Sequence, residues 1–192
     1  MAGNRSAYDA IVLAGGAGCR LGGQDKPDQV VGGRSMLARV VDAVADAERI
    51  IVVGPERTAI GGVRWAAEDP RGGGPVAAIA AGLPAVQAPV TILLAADLPF
   101  VAAAIDPLRA ALRPDEAAVA LADSTGRINF LAAAWWTQRL RAAVASLPDP
   151  AGRPMRALVC PRGVPDPAGW GDDCDTPEQL AAARHRAGEE QA

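Results

Sequence analysis

Residues Tyr8 to Lys26 read YDAIVLAGGAGCRLGGQDK, and the reading of this stretch decides the fold. Its opening, Tyr8 to Ala14, is a short apolar run stopped by glycines, the pattern of a β-strand buried on both faces. The remainder crowds glycines before a lysine, which points to a phosphate-binding loop. A dinucleotide fingerprint G-x-G-x-x-G begun at Gly16 finds Gly18 but then Leu21, and the following strand, IIVVG, ends in Gly54 rather than in an acidic residue. A P-loop begun at Gly18 reaches Gly23, but Gln24 stands where the lysine belongs and no Ser or Thr follows. What remains is a strand, then L-A-G-G, then x-x-x-R-x-G-G-x-D-K. Gly15 and Gly16 let the backbone approach a base or phosphate, while Arg20 and Lys26 supply two cations of different shape.

The pattern repeats outward from this unit. Ser35 precedes MLARVVDAVA, where Leu37, Val40, Val41 and Val44 recur at helical spacing behind a cap. RIIVVG (Arg49 to Gly54) reads as a buried strand and GVRWAA (Gly62 to Ala67) as a weaker one. Gly72 to Gly74 and Pro75 then open an alanine-rich helix to about Val86. VTILLA (Val90 to Ala95) is the clearest strand, with Asp97 just past its end, and AIDPLRAALR follows as a helix. EAAVALA (Glu116 to Ala122) and FLAAAWW (Phe130 to Trp136) read as strands; in the latter Trp135 and Trp136 face opposite sides, one to the core and one outward. TQRLRAAVASL reads as a helix, and MRALV as either a short helix or a strand. In DTPEQLAAARHR, Thr176 caps, Pro177 takes the first helical position and Gln179 completes a capping box. AGEEQA reads as a frayed tail.

Strands alternating with helices over 192 residues predict one Rossmann-like, three-layer α/β/α domain with a mostly parallel central sheet, spanning 1–192 with an ordered core of about 8–186. In such sheets ligands sit outside the carboxyl ends of the strands, where Gly15 to Gly18, Asp69, Gly72 to Gly74 and Asp97 all fall.

Composition narrows the function classes. The formal charge is −3 and no basic run tracks a nucleic-acid backbone, so nucleic acid is not an expected partner. No membrane span or signal peptide is read, and the expectation is a cytoplasmic protein, monomeric or a weak homo-oligomer. Cys19, Cys160 and Cys174 are odd in number, far apart and without a C-x-x-C pair, which supports neither a disulfide framework nor a zinc site. Eighteen of the nineteen basic residues are arginine, and the single lysine, Lys26, lies in the glycine-rich loop.

The loop LAGGAGCRLGGQDK resembles the signature of the small nucleotidyltransferases typified by molybdenum cofactor guanylyltransferase, L-A-G-G-x-x-x-R-M-G-G-x-D-K. The resemblance continues through EDPRGGGPVAAIAAGL, AADLPFV and DCDTPEQL, from about Tyr8 to Arg184. It implies a magnesium-dependent transfer of GMP from GTP to the phosphate of molybdopterin. It also implies a nucleotide site at Leu13, Ala14, Gly15, Gly16, Lys26, Asp69, Gly74 and Pro75, with L-A-G-G and Gly74-Pro75 on the guanine side. Lys26 is then the triphosphate contact and Asp97 the magnesium ligand, with Arg20, Lys26 and Asp97 as the catalytic set. Asn129, Asp173 and Asp175 are candidate acceptor contacts, and Asp173 or Asp175 a candidate second metal ligand. Five positions depart from the family pattern: Ala78 replaces a glycine, Asp28 and Gln29 stand in a usually more apolar stretch, and Asp173 and Asp175 replace two asparagines. The competing readings are a cytidylyltransferase or sugar-1-phosphate nucleotidyltransferase, and a catalytically silent nucleotide-binding module.

Overall fold

A computed structural model describes residues 6–15, 20–21 and 24–189, with 20, 21, 24 and 189 described by backbone only. The chain runs β1 (Tyr8–Leu13), the short pairs β2 (Arg20–Leu21) with β3 (Gln24–Asp25) and β4 (Val30–Val31) with β5 (Arg34–Ser35), then α1 (Met36–Ala43) and β6 (Ile50–Val53). It continues through β7 (Arg64–Ala66), α2 (Pro75–Gly82), β8 (Val90–Ala95), α3 (Ile105–Ala111), β9 (Ala118–Ala122), β10 (Ile128–Trp136), α4 (Thr137–Ala145), β11 (Arg162–Pro165) and α5 (Pro177–Glu189).

Seven strands form the central sheet in the order β11-β9-β10-β8-β1-β6-β7. Every neighbouring pair is parallel except those made by β10, which runs antiparallel to both β8 and β9. All six residues of β1 are buried because both faces are covered. Ala10, Val12, Val52, Ile92 and Leu94 pack with Leu37 and Val40 of α1 and Ile105 and Leu108 of α3. Ile11, Leu13, Ile51, Val53 and Leu93 pack with Val76 and Ile79 of α2 and Leu140 of α4. This gives the expected three layers. The apolar run of β1 tolerates Asp9 because its fully buried carboxylate accepts the N–H groups of Gln87 and Ala88 (2.5 and 2.9 Å) and faces Arg49 (3.4 Å).

Local chemistry sets the helix ends. Ser35 Oγ accepts the Ala38 N–H at 3.2 Å to cap α1, and Gly74 with φ +87° precedes Pro75 at the start of α2. At α5, Gln179 Oε1 accepts from the N–H groups of Asp175 and Thr176 while its own N–H donates to Thr176 Oγ1, so the capping box closes. Trp135 is fully buried, and Trp136 on the other face donates its indole N–H to Arg113 O at 2.8 Å.

The open reading of MRALV resolves to its helical alternative, a single 3-10 turn at Met155–Ala157. Two features differ from the sequence expectation. RGVP, with no apolar run, becomes the edge strand β11 through parallel pairing with β9. The tail expected from Ala187 onward instead continues α5 to Glu189, because Ala187 extends the buried stripe of Leu180 and Ala183 against Phe100, Val31 and Met36.

Candidate active site

The carboxyl ends of β1, β6 and β7 make a floor of bare backbone. Leu13 and Ala14 are buried. Leu13 O accepts the Ala96 N–H (3.0 Å), and Ala14 N–H donates to Val53 O (2.8 Å), so the end of β1 is locked between its two neighbours. Gly15, beyond it, is exposed. A Cβ on Gly15 would sit 3.4 Å from Gly54 Cα, an ordinary contact, whereas one on Gly54 (φ +151°) would stand 2.8 Å from the carbonyl carbon and oxygen of Ala14. Glu68 lies over this floor: its Oε1 accepts the Gly72 N–H at 3.0 Å and is 3.8 Å from the Cβ position of Gly15. Asp69 is exposed in the same turn. The turn leads through Gly74 to Pro75 at the amino end of α2, the positive end of the helix dipole. Gly16 and Cys19 lie outside the described residues, and the side chain of Arg20 does as well; the Arg20 backbone pairs with Asp25.

Lys26 is the centre of charge. It occupies a 3-10 turn, Lys26–Asp28, with Pro27 at its start, and only 6% of it is exposed. Its ammonium is 2.6 Å from Asp97 Oδ2 and also bonds Asp175. Asp97 is placed by its position just past β8. Asp175 is placed by the loop before α5, which docks on the same strand end when Cys174 N–H donates to Asp97 O (3.2 Å). Burial works against the charge on Lys26, but the hydrogen bonds to Asp175 and Asp97 outweigh it and its pKa is raised. The Asp173 carboxyl is pushed upward by burial first and then by the charges of Asp175 and Asp97. Burial, followed by Asp97, raises the Cys174 thiol to about 11, which leaves it a buried, inert thiol.

A cavity of about 650 Å³ adjoins this pair through Cys174, whose N–H is bonded to Asp97 O, and is lined by Phe100, Arg127, Asn129, Asp173, Cys174 and Arg186 among others. Asn129 faces it with its polar ends engaged: Nδ2 donates to Gly171 O (2.8 Å) and Oδ1 accepts the Leu131 N–H (2.9 Å). The structure therefore brings Lys26, Asp97 and Asp175 into contact, sets Asp173 and Asn129 in the cavity, and places Leu13, Ala14, Gly15, Asp69, Gly74 and Pro75 around the separate backbone floor.

Two residues at the site escaped the sequence reading. Arg57 grips the turn that carries Lys26, from a loop with no motif of its own. Glu68 had a signal, since it stands in the EDPRGGGP segment, but Asp69 drew the assignment. Among the described residues no group of three or more Asp, Glu, His or Cys side chains is arranged to hold a metal by itself. The hard carboxylate oxygens of Asp97 and Asp175, converging on one cation, nevertheless suit magnesium, which takes one or two carboxylates and fills its shell with phosphate and water oxygens.

Known proteins resemble this chain in sequence and in fold. Residues 10–162 match the family model described as the MobA-like NTP transferase domain. The chain is 34% identical over 143 residues to a molybdenum cofactor guanylyltransferase of Bradyrhizobium sp. (strain ORS 278), a match covering 68% of this chain and 66% of that protein, just under two thirds of its length. In fold it resembles a nucleotidyl transferase from Methanothermobacter thermautotroptrophicus (TM-score 0.76, 18% identity, 96% of this chain and 99% of that one). It also resembles molybdopterin-guanine dinucleotide biosynthesis protein A from Archaeoglobus fulgidus (TM-score 0.62, 17% identity, 94% and 99%).

Proposed function

The chain belongs to the family of MobA-like NTP transferase domains, and we propose that it transfers GMP from GTP to the phosphate of molybdopterin and releases pyrophosphate. The observation that carries this reading is the buried Lys26 ammonium held on Asp97 between the glycine floor and the acidic cavity. The name of the relative that is 34% identical supplies the base and the acceptor.

The nucleotide lies along the floor at Leu13, Ala14 and Gly15, with Gly16 following, and meets Asp69, Gly74 and Pro75 across the cleft. The acceptor takes the cavity, with Asp173 and Asn129 in its wall and Asp175 next in the chain to its lining residue Cys174. An oxygen of the acceptor phosphate attacks the α-phosphorus of GTP; a new P–O bond forms as the bond to the β-phosphate oxygen breaks. A phosphate monoester is already ionised near neutral pH, so the step needs no general base. The single histidine, His185, lies in α5 and has no part in it.

The chemistry demands alignment and neutralisation of charge on the α-phosphate and the departing pyrophosphate. Lys26 supplies one cation, and Arg20 supplies a second. Asp97, with Asp175, would hold magnesium, which when bound neutralises phosphate charge. Among the described residues no helix is long and apolar enough to cross a membrane; the proposed setting is the cytoplasm, with the protein a monomer or weak homo-oligomer.

Pyrophosphate release tests the reading. With magnesium present it should require GTP and molybdopterin together, and CTP should support little of it. A preference for CTP would overturn the guanine assignment, and release with no phosphorylated acceptor at all would overturn the transfer.

A further inference from the structure

Arg57 lies in the loop between β6 and β7, 31 positions along the chain from Lys26, yet it is built around the turn that carries that lysine. Its side chain is only 11% exposed. Nε donates to Asp28 Oδ1 at 2.7 Å, Nη2 to Asp25 Oδ2 at 2.5 Å, and Nη1 to its own loop at Pro55 O, 2.9 Å. Asp25 and Asp28 bracket Lys26 and Pro27, and Gln29 N–H closes the turn onto Lys26 O at 3.0 Å.

We propose that Arg57 is a positioning residue: a clamp that fixes the Lys26 turn at the strand ends so that the ammonium meets the triphosphate in one orientation. The inference rests on the reading of Lys26 as the triphosphate cation. The lysine side chain is long and flexible, and its aim is only as good as the backbone that carries it. The turn is short, follows a glycine-rich loop, and has no packed helix or long strand of its own. A planar guanidinium satisfies two carboxylates and a carbonyl at fixed angles, which an ammonium cannot do. The clamp also ties the turn to the loop after β6, the strand that ends in Gly54 at the nucleotide floor. Arg57 thus couples the two parts of the site that must close on one nucleotide, without touching the nucleotide itself.

The test is a double-mutant cycle on nucleotide binding, read by calorimetry with magnesium and whichever of GTP, CTP, UTP and ATP the chain binds most tightly. A wrong base assignment then leaves the clamp test intact. R57K should weaken binding about tenfold in the wild-type background and by less than about twofold in the K26A background, since Arg57 acts through Lys26. Its melting temperature should stay close to wild type. D28N removes one arm of the clamp with Arg57 in place and should weaken binding about threefold, so a poorly folding R57K does not decide the outcome. In turnover, R57K should lower kcat while the acceptor KM stays within about twofold. Equal losses from R57K in the two backgrounds would make Arg57 merely structural, and no loss from either R57K or D28N would remove the clamp altogether.

Discussion

The Lys26 ammonium lies 2.6 Å from the Asp97 carboxylate, joining the glycine-rich loop after β1 to the end of β8. A lysine that is 6% exposed is held in place chiefly by its partners, and in the proposed site phosphate would compete for its ammonium while magnesium would compete for their carboxylates. K26A and D97A should each lower GMP transfer by at least about a hundredfold, the scale of losing one transition-state cation or its counterpart. Circular dichroism and melting curves should show both variants folded. Full activity in both would remove these residues from the mechanism.

Gly15 and Gly54 respond differently to the same change. A Cβ at Gly15 finds ordinary contact with Gly54 Cα at 3.4 Å, so G15A should fold normally. It should nevertheless reduce the preference for GTP over CTP about tenfold, because the methyl group would rise from the proposed nucleotide floor. G54A places a Cβ 2.8 Å from Ala14 backbone atoms at φ +151°. It should cost about 1–3 kcal/mol of stability and weaken nucleotide binding together. Urea unfolding and calorimetry separate the two cases.

Asn129 should behave as a support for the acceptor cavity rather than as a ligand. Each end of its amide makes one hydrogen bond to the backbone, at residues 131 and 171. N129A should therefore cost about 1 kcal/mol of stability and raise the acceptor KM, leaving GTP affinity unchanged. A variant with weakened GTP binding and a normal acceptor KM would reverse this assignment.

Glu116 and Arg162 staple the edge strand β11 to the start of β9, with Arg162 Nε on Oε2 at 2.8 Å and Nη2 on Oε1 at 2.9 Å. The Arg162 hydrogen bonds, opposed by some burial and aided by the Arg113 N–H, hold the Glu116 carboxyl below its ordinary range. A depressed carboxylate contributes stability above its unfolded pKa and loses it as pH falls through the folded one. E116Q should therefore melt a few degrees lower at most near pH 7, and the gap to wild type should close in the acid range below pH 4. A gap that widens on acidification would contradict the assignment.

Much of the fold was legible because YDAIVL and VTILLA are short, nearly continuous apolar runs bounded by turn residues, the pattern of a strand covered on both faces. Strand β11 was illegible because RGVP carries no apolar signal and is made a strand by pairing with β9. The positions of Lys26 in the loop after β1 and of Asp97 just past β8 could be read locally, and the structure brings the two side chains together. The contact between Lys26 and Asp175, 149 residues apart, depends on how the loop before α5 docks, which no local pattern encodes. Arg57 is invisible for a related reason: its partners Asp25 and Asp28 look like solvated loop charges until the fold brings a guanidinium between them. The side chain of Arg20 and the backbone of Gly16 stay as sequence-based assignments.

The central claim is tested most directly by following the label from α-phosphate-labelled GTP when the chain is given molybdopterin beside a panel of sugar phosphates, with magnesium present. The account predicts label joined to molybdopterin alone, with loss of the transfer in K26A. Label joined to a sugar phosphate instead, or transfer to molybdopterin from CTP in preference to GTP, would contradict it.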